Sequence, residues 1–117
     1  MSTCYARIIA YDSIETMKSP LPKEAYDKNA TIYKILANPK RLEVLNILKT
    51  GEQPVERLIK ITRLTKANIS QHLALLRHTG LVRGRRDGLN VYYSIIDPRI
   101  VAPCKILHNL RHRKLVK

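Results

Sequence analysis

Between Thr65 and Ile96 the chain changes its hydrophobic period once, and that change restricts the fold more than any other feature. The stretch "LTKANISQHLALLRHTGLV" places Ile69, Leu73 and Leu76 at i, i+4 and i+7, the spacing of one helix face. Thr65 suits the N-cap of this helix and Gly80 its stop. The next stretch, "LVRGRRDGLNVYYSII", has two extended runs around Asp87-Gly88. A D-G dipeptide between such runs is a strong hairpin signal, because Gly readily takes the positive φ that a tight turn needs.

The upstream chain supplies three more helices. "KEAYDKNATIYKILANP" has apolar positions at Tyr26, Ala30, Tyr33 and Leu36/Ala37, and ends before Pro39. "NPKRLEVLNILKTGEQP" is a second helix capped by Asn38, with Pro39 at its first position. Leu42, Leu45 and Leu48, with Val44 and Ile47, form its apolar stripe, and Gly51 ends it. "PVERLIKITRL" predicts a short third helix opened by Pro54, with Leu58 and Ile61 inward. After the hairpin, "DPRIVAPCKILHNLRHRKLVK" predicts a last helix capped by Asp97, kinked or restarted at Pro103. Pro20 and Pro22 separate an N-terminal arm, residues 1–22, from a domain spanning 23–117. The expected fold is mainly α with a β-hairpin wing: a winged helix-turn-helix.

Charge narrows the partner. The chain carries 22 Lys+Arg against 9 Asp+Glu, a net of +13. From Arg57 onward there are 14 basic and 2 acidic residues, whereas residues 1–56 hold 8 and 7. A strongly basic half beside a nearly neutral one argues for a polyanion, most often nucleic acid. With no Trp or Phe, and Tyr spread thinly, there is no obvious aromatic platform for stacking single-stranded bases, which tilts the polyanion toward duplex DNA. No run of about 18 apolar residues predicts a membrane span. The N-terminus lacks the pattern of a secretory signal, and two cysteines 100 residues apart do not make a disulfide framework. A cytoplasmic protein is expected.

With Ile69, Leu73 and Leu76 turned to the core, the N-terminal end of the fourth helix presents Lys66, Ala67, Asn68, Ser70 and Gln71 outward. Gln71 can bond a base edge at two places, and Ala67 can meet a thymine methyl. Lys66 and Arg77 flank this face and would reach phosphates. Arg83, Arg85 and Arg86 on the hairpin could contact phosphate or enter the minor groove. On this reading Gln71→Ala relaxes base specificity, while Arg85→Ala weakens all sequences alike. No paired acids, metal cluster or nucleophile–base arrangement points to a nucleic-acid enzyme.

"LANPKRLEVLNILKTGE", "ISQHLALLRHTGLVRGRRDGLNVYYSI" and the trailing helix resemble the ArsR/SmtB family of bacterial repressors over about residues 30 to 110. The resemblance implies a homodimer formed through the first and last helices. It also implies binding to an imperfect operator palindrome, release by an inducer, and DNA contacts from the positions of Lys66, Ala67, Ser70 and Gln71. The family's metal ligands are replaced. Pro54 and Glu56 stand where a Cys-x-Cys would lie on the third helix, and neither substitutes for a soft sulfur ligand. On the last helix Asp97 remains, but Arg99, Leu110 and Arg113 occupy the other ligand positions, which cannot bind zinc. Asn46 stands where a thiol-redox subgroup has its first Cys. No metal or cofactor is therefore expected at these sites.

Cys4, Cys104, His108 and His112 remain. Cys104 and His108, one helical turn apart, could share a metal, whereas Cys104 and His112 are separated by about 12 Å of helix rise. A buried, inert thiol with two edge histidines is the plainer reading. The sharper one pairs Cys4 with Cys104 as a redox sensor. Two alternatives stay open: a non-sensing architectural DNA-binding protein, and a metal-responsive repressor with a non-standard site near Cys104/His108.

Overall fold

The computed structural model describes residues 17–112. The "CYARIIAY" run with Cys4, and Arg113, lie outside the described residues. The chain divides into two units, Met1–Thr31 and Ile32–Lys117. In the first, an irregular run through Pro20 and Pro22 leads into helix α1 (Lys23–Leu36), where Ser19 Oγ donates to Tyr26 Oη at 2.6 Å. The last turns of α1 belong to the second unit.

That unit continues with α2 (Pro39–Lys49), a two-residue strand β1 (Gln53–Pro54), α3 (Val55–Thr62) and α4 (Lys66–His78). Strands β2 (Val82–Asp87) and β3 (Asn90–Ile95) follow, then a 3-10 turn (Pro98–Val101) and α5 (Ala102–His112). Local chemistry sets most of these boundaries. Asn38 Oδ1 accepts from the backbone N–H of Lys40 and Arg41 at 3.0 and 3.1 Å, and Pro39 begins α2. Thr65 Oγ1 accepts from Asn68 N at 3.1 Å and starts α4. At the other end of α4, Leu81 N donates to Leu76 O and Gly80 N to Arg77 O. This Schellman pair needs a left-handed residue after the C-cap, and Gly80 takes φ +80°. Asp97 Oδ1 accepts from Arg99 N at 2.9 Å, and the helix restarts at Ala102 beside Pro103, as the two prolines predict.

Among the described residues, ten buried apolar side chains form one core: Val44, Leu45 and Leu48 of α2, Leu58 of α3, Ile69, Leu73 and Leu76 of α4, then Leu81, Val82 and Val101. Ile32, Ile35 and Leu36, from the end of α1, pack on it. Tyr26, Ala30 and Tyr33, the apolar positions that stood out in sequence, lie on the exposed side of α1.

The structure corrects one inward assignment. Ile61 is 47% exposed, whereas Thr62 is buried at 3%. With Leu58 at the centre of the buried arc, Thr62, Val55 and Ile59 lie within about 100° on one side, and Ile61 lies about 60° away on the other. Thr62 tolerates burial because its hydroxyl donates to Leu58 O at 2.7 Å and accepts from Leu64 N at 3.3 Å. Arg63 then takes φ +61° and turns the chain toward α4.

The sheet also differs in detail from the sequence expectation. Asp87 pairs with Asn90, so the hairpin loop is Gly88-Leu89, one residue later than Asp87-Gly88. Only Gly88 of the loop has positive φ, at +63°, which is the type II′ arrangement with Gly at the first loop position. A third strand, β1, pairs antiparallel with β3, giving the order β1-β3-β2. Pro54 therefore ends β1 and caps α3 rather than opening its first turn. Two residues are too few for an alternating pattern to announce a strand.

Candidate nucleic-acid interface

Helix α4 separates its functions by face. Ile69, Leu73 and Leu76 are buried, while Lys66, Ala67, Asn68, Ser70 and Gln71 are all exposed. Ala74 is exposed as well and extends the line Ala67, Ser70, Gln71 by three residues; sequence reasoning missed it, although the helical spacing points to it. No acidic residue occupies the first turn of α4 to oppose a phosphate at the positive end of the helix dipole. Arg77 is exposed in the last turn.

The three hairpin arginines are exposed but not equivalent. Successive residues of β2 point to opposite faces, so Arg83 and Arg85 share one face and Arg86 takes the other. Arg85 is engaged. Its Nε and Nη2 donate to the two carboxylate oxygens of Glu52 at 3.1 and 2.7 Å. Its guanidinium stacks 4.8 Å from the centre of the Tyr92 ring on the paired strand, and Asp87 lies 4.0 Å away. The hydrogen bonds from Arg85 hold Glu52 below the usual carboxylate range. Among the described residues Arg83 and Arg86 have no such ion pair.

Beneath the exposed face, His72 ties α4 to α2. Arg41 Nε donates to His72 Nδ1 at 3.2 Å, and Arg41 Nη1 donates to Ile35 O at 2.9 Å. Desolvation, followed by the positive charge of Arg41, holds His72 below its ordinary value, and the bond accepted at Nδ1 places the ring proton on Nε2. Neither Arg41 nor His72 was singled out from sequence, because their contact spans 31 residues.

The remaining sequence-selected residues lie apart from this face. Asp97, the one acid kept from the family's last-helix metal site, is occupied: Arg99 Nη2 meets its Oδ2 at 2.7 Å and Arg99 Nε lies 3.1 Å from both oxygens. Those bonds hold Asp97 at about 2. Cys104 is half-buried against the core. With Leu42, Leu107 and Arg111 it lines an open, apolar cavity of about 360 Å³. His108 and His112 are exposed and meet edge to face, 4.2 Å between ring centres. Among the described residues no three His, Cys, Asp or Glu side chains gather as metal ligands. No described helix is long and apolar enough to cross a membrane.

Residues 38–83, from the cap of α2 to the second residue of β2, match the family of bacterial regulatory proteins named arsR. Over 96 residues the chain is 32% identical to the transcriptional activator HlyU of Vibrio cholerae, covering 79% of this chain and 89% of that protein. The chain belongs to the ArsR family. It is 35% identical over 86 residues to the transcriptional repressor PagR of Bacillus anthracis, covering 73% and 86% of the two chains. Among solved structures, HlyU from Vibrio cholerae superposes with a TM-score of 0.67 at 32% identity, covering 76% of this chain and 97% of that one. A homodimeric winged helix-turn-helix DNA-binding domain from Mycobacterium bovis gives a TM-score of 0.70 at 29% identity, covering 85% and 94%. These ArsR-family relatives are regulators of transcription rather than enzymes, and the winged helix-turn-helix expected from sequence is the fold observed.

Proposed function

We propose that this ArsR-family protein is a cytoplasmic, homodimeric repressor that binds an operator palindrome in duplex DNA and leaves it when an inducer acts. The observation that carries the reading is the division of α4 into a buried Ile69/Leu73/Leu76 face and an exposed Lys66/Ala67/Asn68/Ser70/Gln71 face. Gln71, Ser70 and Ala67 read base edges, and Asn68 lines the same end of the helix. Lys66, Arg77, Arg83 and Arg86 neutralise phosphates. Arg85 lies in the same wing but shares its charge with Glu52. A repressor and an activator both stand among the relatives, so the sign of regulation rests on the resemblance to the repressor family.

Helices α1 and α5 form the dimer interface in this reading, with residues 1–22 as an arm. Supporting it, Tyr33 on α1 and Ile106 and Leu107 on α5 are each more than half exposed in the single chain. Surfaces of that kind call for a partner. The neighbour from Mycobacterium bovis is itself homodimeric, which supports a dimer.

The inducer acts elsewhere than at the family's metal sites. Pro54 is in a strand, Glu56 is exposed, and the Asp97 carboxylate is bound by Arg99. We assign the sensing role to the thiols of Cys4 and Cys104, with an oxidant or a sulfide species as the inducer. The test has two parts. Selection of duplexes from random sequence returns a palindrome, bound in preference to a scrambled duplex; equal affinity for both would leave only a non-sensing architectural protein. Oxidant, sulfide and a metal panel are then applied to the bound complex. Release by oxidant or sulfide that persists in Cys4→Ser and Cys104→Ser rejects the thiol assignment. Release by a metal alone supports a site near Cys104/His108.

A further inference from the structure

The contacts of Arg41 join the consecutive helices α1 and α2 to α4, whose His72 lies 31 residues further on. Ile35 is in the last turn of α1, where the final carbonyls of a helix have no partner within it. Arg41 Nη1 supplies that partner at 2.9 Å. Its backbone N–H is held by the Asn38 cap at 3.1 Å, which anchors it in the first turn of α2. Its Nε reaches His72 on α4 at 3.2 Å, and His72 is the residue next to Gln71. A guanidinium is suited to this, since its donors diverge in a rigid plane and bridge acceptors on different elements.

We propose that Arg41 and His72 are positioning residues: together they strut the recognition helix against the end of α1, and the strut holds only while His72 is neutral. The proposal rests on the reading of α4 as the recognition helix. Its physical basis is the direction of the bond. His72 Nδ1 accepts a hydrogen from Arg41, so the imidazole proton sits on Nε2. A second proton on Nδ1 would set N–H against N–H and a positive charge against a positive charge. The contact then opens, and α4 loses its tie to α1 and α2 beside the base-reading residue.

The surroundings leave Arg41 as the group that answers His72. Lys40, its neighbour on α2, is directed to Glu43 and to Thr62 O, both at 3.3 Å. The residues one turn away on α4, Asn68, Ile69, Leu75 and Leu76, are uncharged. Among the described residues Arg41 is the charge that acts on His72, and α3 and β2 also pack on α4. Burial of His72 acts in the same direction and disfavours the imidazolium.

The sign of the consequence is unusual for a basic DNA-binding protein. Positive charge gained on acidification by itself tightens binding of a basic protein to any duplex. Opening the strut instead lowers preference for the selected sequence as acidification protonates His72, which is held below the ordinary imidazole value.

The experiment measures affinity for the duplex selected by the wild-type protein and for a scrambled duplex, at pH 7.5 and 5.5 and constant salt. The wild type loses preference on acidification. His72→Asn, whose side-chain oxygen can accept from Arg41 but does not titrate, keeps wild-type preference at both pH values. His72→Leu and Arg41→Met lose about tenfold in preference at pH 7.5, the scale of one hydrogen bond to a charged group. Wild-type preference in His72→Leu at pH 7.5, or a pH response in His72→Asn equal to the wild type's, overturns the strut. Amide exchange across α4 without DNA gives a second readout. It is faster in His72→Leu and in the acidified wild type, and unchanged in His72→Asn. If selection returns no preferred sequence, the DNA reading fails, and amide exchange alone decides the strut.

Discussion

Arg83 and Arg85 lie two residues apart on β2 and point the same way, yet they offer different charge to a duplex. Arg85 donates to both oxygens of Glu52 and lies over Tyr92, while Arg83 is free of ion pairs among the described residues. Arg83→Ala should therefore lower the slope of log affinity against log salt by about 0.9, the value of one phosphate contact on B-DNA. Arg85→Ala should lower it by less, and Glu52→Gln should steepen it by releasing Arg85. Titrations by fluorescence anisotropy across a salt series check all three; equal slopes for the two arginine variants would show that the Glu52 pair opens on DNA. Gln71→Ala should leave that slope unchanged but cost about 1–3 kcal/mol of discrimination at one base pair. Equal losses on the selected and scrambled duplexes would place Gln71 off the base-reading register. The exposed face of α4 was legible except at Ala74, because period alone separates inward from outward on a regular helix. The standing of Arg85 was not, because Glu52 comes from 33 positions away.

At the scale of the element, caps and stops decide where helices begin and end, and those of α2 and α4 were readable because they involve neighbours within a few residues. Asn38→Ala removes the acceptor for two N–H groups of α2 and should cost about 1 kcal/mol. Gly80→Ala forces a Cβ into the left-handed region at φ +80° and should cost about 1–2 kcal/mol. Ile61→Ser, at a position turned outward, should change stability by no more than about 0.5 kcal/mol. Urea denaturation with an unchanged m-value measures each. A loss of several kcal/mol for Ile61→Ser would restore it to the core. The Asp97 cap has its own pH window. Arg99 depresses its value from 3.8 to about 2, so its contribution is present above 3.8 and is lost as the pH falls toward 2. Ile61 was misassigned because α3 spans only 8 residues, and two apolar positions at i and i+3 leave open which flank of Leu58 turns inward.

At the scale of the molecule, the reading requires two copies. Leu107 on α5 is 53% exposed although it is apolar and sits beside Leu42 and Cys104. Leu107→Asp should convert the dimer to monomer in sedimentation velocity and reduce affinity for the selected palindrome far more than for scrambled DNA, because only the palindrome rewards two recognition helices at fixed spacing. A dimer that survives Leu107→Asp would move the interface off α5. The net charge of +13 supplies affinity for any duplex, so the difference between the two DNA species, rather than affinity itself, carries the test.

The sequence by itself determined the succession of helices and hairpin, the core residues of α2 and α4, and the outward face of α4. All follow from periodicity and from capping bonds made within a few residues. The tertiary structure alone decided the third strand, the inward turn of Thr62, the capture of Arg85 by Glu52, and the bridge from Ile35 through Arg41 to His72. The strand depends on backbone pairing of Gln53 with Tyr93, far along the chain, the turn of Thr62 on which flank of α3 meets the core, and the two arginine contacts on long side chains meeting groups brought near by the fold. Spacing along a chain sets the face on which such a side chain starts, but not the partner it finds.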